Sequence, residues 1–243
     1  MSTLLLRLAA PLQSWGVDSK FDRRATGRSP SKSGVVGLCA AAMGLKRNDD
    51  KGIAAIAALA FGVRVDREGR LTRDFHMAHG ETFWDPDNRS RVNREAKTAS
   101  AYLTHRYYLA DAAFLAGLEG DEALLREIDA AIQAPMYPLY LGRRSCPPEG
   151  RVTLGIKPGG LEDTLRAAPP VAAASDAARR EDGNTAVIIM DSDKGFDERR
   201  DVPISFSHLH RKYDSRRVCE FPVPRGTAGQ TAAEHDALAE LEA

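Results

Sequence analysis

The sequence of 243 residues lacks the short motifs that assign common enzyme chemistries. It has no Walker A loop, no GxGxxG after a predicted strand, no GxSxG, and no pair of carboxylates placed as acid and base. Its three cysteines, Cys39, Cys146 and Cys219, are widely spaced and include no CxxC pair. Zinc sites and disulfide frameworks need closer or more regular spacings. We therefore predict no catalytic residues, no metal and no cofactor, and we expect a reducing, cytoplasmic environment.

Long apolar runs are also missing. The opening MSTLLLRLAAPLQSW is interrupted by Arg7 and no basic region precedes it, so we interpret it as a first strand rather than a signal peptide. No stretch approaches the roughly 18 apolar residues that a membrane helix needs. Because 43% of the residues are hydrophobic, the sequence predicts a folded, soluble protein with a real core and no membrane partner.

The formal net charge is zero, but the charges are segregated along the chain. Residues 20–32 carry five basic residues against one aspartate, and residues 199–217 carry six against two. Acidic residues collect elsewhere, in a predicted helix and near the C-terminus. One basic cluster is usually a solvated surface, whereas two clusters together with the adjacent Arg143 and Arg144 favour an anion-binding groove.

Hydrophobic periodicity predicts an α+β fold. We predict a buried strand over 3–9, a buried helix from about Ser33 with Ser31 or Ser33 as N-cap and Gly44 near its end, a β-hairpin turning at Glu68-Gly69, an amphipathic helix DEALLREIDAAIQA, and strands TAVIIMD and RVCEFPVP. The stretch around 157–184 is predicted to be a surface loop, and His208 and His210 are placed on one face of a strand. This order is close to the split βαβ order of a ferredoxin-like sheet.

The domain prediction depends on two stretches without periodicity. Residues 79–98 have little apolar content beyond Phe83 and Trp84, and such long excursions in compact domains are often functional. We predict one domain over 1–223 with an insertion at about 79–104. An acidic C-terminal tail follows over 224–243, for which disorder is one interpretation.

Two segments combine the residue types that bind phosphate. RRATGRSPSKSG joins arginines, hydroxyl residues and glycine just before a predicted helix N-terminus, where free backbone N–H groups favour an anion. LGRRS repeats the combination on a turn. Glycine lets a backbone approach closely, and arginine binds phosphate through two parallel hydrogen bonds.

These segments also carry a family resemblance. LLLRLAAPLQSWG, RRATGRSPSKSGVVGLCAAAMGL, RYYLADAAF and YPLYLGRRSCP occur in order within residues 3–148, with a fainter similarity through 199–219. Together they resemble the CasD subunits of type I-E CRISPR Cascade complexes, in the RAMP superfamily. The stretch 79–98 and the tail after Pro224 depart from that pattern.

The resemblance implies a ferredoxin-like (RRM-like) RAMP domain with a protruding β-hairpin thumb and an irregular C-terminal part. It implies binding to the 5′ handle of crRNA, capping of the CasC backbone, and contact with the large PAM-reading subunit and with target DNA near the handle end. The RNA-binding residues expected on this basis are Gln13, Trp15, Arg24, Thr26, Gly27, Arg28, Ser33, Gly34, Arg106, Gly142, Arg143, Arg144 and Ser145.

Two other functional classes remain open. RNA processing belongs to a separate subunit in the type I-E system, so a non-catalytic role is expected, but relatives in another subtype cleave the repeat RNA. A metal-independent endoribonuclease is therefore the alternative, and His105, Arg106, Tyr107 and Tyr108 in THRYYL are its candidate residues. The third class is a protein-interaction domain whose basic patches bind nothing in particular.

Overall fold

The computed structural model describes residues 1–16, 23–78, 102–171 and 185–224. The predicted insertion lies outside these ranges apart from 102–104, and so does the tail apart from Pro224. Within the described ranges there are eleven strands and four helices. They are β1 (Ser2–Ala9), β2 (Leu12–Gln13), β3 (Arg23–Arg24), α1 (Lys32–Ala42), α2 (Asp50–Ala57), β4 (Ala60–Arg67), β5 (Arg70–Ala78), β6 (Tyr102–Ala110), β7 (Ala113–Gly120), α3 (Glu122–Gln133), β8 (Thr153–Pro158), α4 (Leu161–Ala167), β9 (Thr185–Asp191), β10 (Asp197–Ser205) and β11 (Lys212–Pro224).

Seven strands form the main sheet in the order β10-β11-β9-β4-β7-β1-β8, and all neighbours are antiparallel. Helices α1 and α2 connect β1 to β4, and α3 connects β7 to β8. The predicted α+β class is therefore confirmed.

Strand β1 shows how the sheet separates two cores. Leu4, Leu6 and Leu8 face α1, α2 and α3, whereas Leu5 faces α4 on the other side. Successive side chains of a strand point to opposite faces, so a strand covered on both faces reads as a continuous apolar run. This explains why LLLRLA carries no alternation.

Helix α1 begins and ends where its sequence predicts. Ser31 is the N-cap, and its side chain accepts a hydrogen bond from the backbone N–H of Gly34. Just beyond the C-cap, Gly44 has φ +73°, the left-handed conformation that commonly ends helices. The predicted helix boundaries are confirmed because the signals for them are local.

The hairpin predicted at Glu68-Gly69 is wrong in its pairing. Both strands exist, but β4 pairs with β7 and β9, whereas β5 pairs with β6 in a second sheet that also contains β2 and β3. Gly69 at φ +76° and Asp111 at φ +57° lie where the chain passes between the two sheets. The alternation of side-chain types predicts both strands, but each of them pairs with strands that are distant in the sequence.

Two further predictions are corrected. The stretch around 157–184 contains the end of β8 and the helix α4, whose seven residues are too few for a clear helical period. His208 and His210 lie in the turn between β10 and β11, not on a strand. None of the helices in the described ranges is long and apolar enough to cross a membrane.

Candidate nucleic-acid interface

The segment Gly142–Ser145, here called the glycine loop, forms a tight turn against the chain after β2. Gly142 has φ +86°, and a Cβ placed on it would lie 1.6 Å from the backbone oxygen of Ser14. The N–H of Ser14 donates to Leu141 O at 3.1 Å, and the N–H of Cys146 donates to Arg143 O at 2.9 Å, which closes the turn. Glycine is needed at position 142 for both its conformation and the close approach.

Arg143 fastens this loop to the second sheet. Its Nη2 donates to Arg24 O at 2.8 Å, and its guanidinium lies 4.8 Å from the ring centroid of Tyr108. Its Nη1 is buried and has no hydrogen-bond partner within the described residues. The side chain thus joins the glycine loop, β3 and β6, and it is not the freely exposed cation expected from the sequence.

Four arginines lie around the loop and are here called the arginine surface: Arg24, Arg28, Arg106 and Arg144. Arg24 on β3 pairs with Arg106 on β6, so the two side chains share one face of the second sheet. Arg24, Arg28 and Arg144 are exposed and Arg106 is half-buried. Ser145 is exposed beside Arg144. The structure therefore brings the two predicted phosphate-binding segments together.

Thr26 and Gly27 connect the arginine surface to the core. The Thr26 hydroxyl accepts a hydrogen bond from the N–H of Trp15 at 2.9 Å, and the N–H of Gly27 donates to Trp15 O at 2.6 Å. These contacts hold the loop that carries Arg28 in place. Thr26 and Gly27 are both half-buried.

Gln13 and Trp15, which the resemblance places among the RNA-binding residues, are fully buried in the structure. Gln13 Nε2 donates to Leu8 O and Ala112 O, and its Oε1 accepts from Trp15 Nε1 at 3.1 Å. The Trp15 ring packs on Gly34, where an added Cβ would be 2.8 Å from the ring. Both side chains therefore lie in the core and support the loops of the candidate interface.

The N-terminus of α1 is also occupied from within the protein. The N–H of Lys32 donates to the carboxylate of Asp201 at 2.7 Å, and the N–H of Gly34 donates to Ser31. The Ser33 hydroxyl is half-buried, 3.4 Å from the Ser31 hydroxyl. An internal carboxylate therefore lies at this helix end, and phosphate binding by Ser33 and Gly34 stays a prediction.

Asp201 belongs to a cluster of charges between α1 and the sheet. Arg216 donates to both Asp201 and Asp191, and Lys32 Nζ lies 2.9 Å from Asp191. Burial lowers the pKa of Arg216, but its bonds to Asp201 and Asp191 outweigh burial, and the net pKa is raised. Sequence analysis missed this cluster because Lys32 and Arg216 were counted among the surface cations.

The candidate ribonuclease residues do not converge on one site. Alternation along β6 places His105 and Tyr107 on one face and Arg106 and Tyr108 on the other. The His105 ring packs edge-on against Phe75 at 5.6 Å. Tyr108 is buried beneath Arg143. Arg106 thus faces away from His105, and the arginine beside His105 is Arg23, whose guanidinium lies 5.1 Å from the Tyr107 ring centroid.

Comparison with known proteins identifies the family. A model of the CRISPR-associated protein family Cas_Cas5 matches residues 3–219. The chain is 35% identical over 158 residues to the CRISPR system Cascade subunit CasD of Escherichia coli (strain K12), covering 60% of this chain and 67% of that protein. A crystal structure of a Cas protein superposes with a TM-score of 0.69 at 36% identity, covering 92% of this chain and 95% of that one. A CRISPR RNA-guided surveillance complex contains a chain that matches with a TM-score of 0.75 at 33% identity, covering 94% and 95%. Since the family model spans residues 3–219, this chain belongs to the CRISPR-associated Cas5 family.

Proposed function

We propose that the chain is a non-catalytic, crRNA-binding subunit of a type I-E Cascade surveillance complex, and that its arginine surface holds the 5′ handle. The observation that carries this proposal is the meeting of the glycine loop with Arg24 through the Arg143 hydrogen bond. Within the described part of the chain, no carboxylate forms an ion pair with any arginine of the surface. Unpaired arginines beside backbone turns suit single-stranded RNA.

A ferredoxin-like RAMP domain is the fold that we assign to the core of the chain. Strands β4, β7, β1 and β8 are adjacent in that order, with helices between β1 and β4 and between β7 and β8. This connectivity supports a βαββαβ unit, to which β9, β10 and β11 add an edge. We assign residues 1–223 to this single domain, with the thumb beginning from β5 and β6 and the tail following it.

The second sheet supports the proposed assembly partners. One face exposes large apolar side chains, with Leu71, Phe75 and Met77 on β5 and Leu103 on β6. Register places these residues on the face opposite Arg106. Clustered exposed apolar residues favour a macromolecular contact. We assign this face to contacts within the complex, with CasC, the large subunit and target DNA near the handle as the expected partners.

Co-purification with a CRISPR array tests the proposal. The chain is expressed with the other Cascade subunits, with and without the array, and its recovery in the complex is measured. We expect array-dependent recovery, and we expect Arg144→Ala to weaken it, because a charge-assisted contact contributes about 1.5–3 kcal/mol, roughly tenfold or more in affinity. Arg47→Ala is the matched control, since Arg47 is also exposed but lies between α1 and α2. Equal recovery with and without the array contradicts the proposal.

A further inference from the structure

The β10–β11 hairpin ends in a group of cations that lies apart from the arginine surface. Its tip, residues 206–212, reads FSHLHRK, and His208, His210, Arg211 and Lys212 are all exposed. The sequence has no acidic residue between Asp201 and Asp214. Within the described residues, Arg211 and Lys212 form no ion pair. Among the residues that the structure describes, this tip is a local positive region whose charge no carboxylate neutralises.

Two other arginines of the same hairpin, Arg199 and Arg216, form ion pairs. Arg216 is bound to Asp191 and Asp201, and Arg199 lies 3.7 Å from the carboxylate of Glu220. Arg217 donates to a backbone oxygen, that of Asp193. The basic segment found in the sequence therefore has two parts: Arg199 and Arg216 stabilise the fold, whereas Arg211 and Lys212 at the tip have no acidic partner among the described residues.

Contacts with α1 and within the turn give the tip a defined conformation. The Phe206 ring lies 3.7 Å from where a Cβ of Gly37 would be, and its centroid is 6.5 Å from that of Tyr213. The Ser205 hydroxyl accepts from the N–H of Ser207 at 3.2 Å, and the Ser207 hydroxyl accepts from the N–H of Leu209 at 3.4 Å. A preorganised turn loses little conformational freedom on binding.

The hairpin is also joined to the arginine surface. Arg199 Nη1 donates to the hydroxyl of Ser29 at 3.1 Å, and Ser29 directly follows Arg28 of that surface. The next residue on β10, Arg200, is exposed. Strand β10 thus leads from Arg28 past Arg200 to the tip, which gives a nucleic-acid strand leaving the arginine surface a series of cations to follow.

We propose that the hairpin tip is a second binding site for nucleic-acid phosphodiesters, with Arg211 and Lys212 as the phosphate-binding residues. Leu209, which is 86% exposed between the two histidines, contacts a sugar or base. The inference extends the proposed function and rests on it. The exposed arginines Arg28 and Arg200, which lie between the arginine surface and the tip, favour a nucleic acid over an acidic protein as the ligand.

Salt-dependent binding tests the site on the full chain in its complex. Wild type is compared with the double variant Arg211→Ala, Lys212→Ala and with a control double variant, Lys46→Ala, Arg47→Ala, which removes the same charge from exposed positions before α2. One arm measures binding of crRNA, and the other measures binding of target duplex to the crRNA-loaded complex. Thermal unfolding of each variant verifies that these exposed substitutions leave the fold intact, and Arg211→Gln, Lys212→Gln repeats the measurement with polar side chains.

We expect the slope of log K, where K is the binding constant, against log salt concentration to become shallower in the tip variant and to stay unchanged in the control variant. The expected decrease is about 0.7 per lost phosphate for single-stranded RNA and about 0.9 for duplex DNA, so the arm that changes identifies the source. Unchanged slopes in both arms overturn the inference while leaving the proposed function standing. Weaker subunit association with unchanged slopes overturns it in favour of an acidic protein partner. A wild-type chain that binds no crRNA overturns both proposals.

Discussion

Gly142 combines a positive φ of +86° with a Cβ position that falls on the Ser14 carbonyl. We predict that Gly142→Ala lowers the free energy of unfolding by about 3 kcal/mol or more. The left-handed conformation alone costs a non-glycine residue roughly 1–2 kcal/mol, and displacing the Ser14 backbone adds to that. Urea denaturation of the purified chain measures the difference.

Gly155 is the matched control for this substitution. It has φ +80°, but no atom lies within 4 Å of its Cβ position. Gly155→Ala should therefore cost only the conformational part, roughly 1–2 kcal/mol. Equal losses at the two positions would show that the close approach to Ser14 contributes nothing to stability.

Arg106 lies on β6 between Arg24 of β3 and Asp74 of β5. A guanidinium can stack on an unpaired base while its edge donates to phosphate, whereas a lysine ammonium cannot do both because it lacks a planar face. We predict that Arg106→Lys weakens crRNA or target-strand binding nearly as much as Arg106→Ala. Filter binding at fixed salt measures both variants. If Arg106→Lys binds like wild type, Arg106 acts only as a charge.

At the scale of elements, the carboxylate of Asp201 fixes β10 to the first turn of α1. It accepts from the N–H of Lys32 and from Arg216, and it is buried. We predict that Asp201→Asn destabilises the fold by about 1.5–3 kcal/mol, because Arg216 keeps Asp191 but loses its charge-assisted hydrogen bonds to the Asp201 carboxylate. The midpoint of urea unfolding and its slope measure the effect.

Glu122→Gln provides the contrast for that variant. Glu122 pairs with Arg126 one helical turn away on the exposed face of α3, and this neighbour lowers the pKa of Glu122. Because the pair is solvated, its removal should be nearly neutral for stability. If Asp201→Asn is as mild as Glu122→Gln, the buried cluster does not hold β10 against α1.

At the scale of the whole molecule, each face of the main sheet packs against a hydrophobic core. These two cores explain where the candidate interface lies. Helices α1, α2 and α3 cover one face, and α4 covers the other. Buried Arg64 holds α4 in place, because it donates to Leu165 O and Ala168 O at the end of that helix. Among the described residues, the parts of the sheet that these helices cover are closed to a ligand. The candidate interface is instead built at the junction with the second sheet, from loops and strand ends.

Several elements could be predicted from the sequence because their signals are local. The apolar run of β1, the Ser31 cap and Gly44 terminus of α1, and the apolar stripe of α3 at Leu125, Ile128 and Ile132 all depend on residues within a few positions of one another. The sequence resemblance identified the family for a related reason. Its motifs include the glycine loop and the turn at Thr26 and Gly27, whose residues are needed for a backbone conformation or a contact, and such residues remain recognisable without any knowledge of the fold.

The tertiary structure alone decided which charges and polar groups are available. In the sequence, Arg143 and Arg144 are equivalent neighbours. In the structure, Arg143 donates a hydrogen bond to Arg24 O and lies over the Tyr108 ring, whereas Arg144 is exposed. Asp201 reaches the N-terminus of α1 across 169 residues, and β5 pairs with β6 rather than with β4. Free energies of burial and ion pairing depend on distances in space, and these distances cannot be read from the order of the residues in the sequence. The sequence by itself therefore determined the elements, the family and the residue types of the interface, whereas the packing of distant segments determined which of those residues face a ligand.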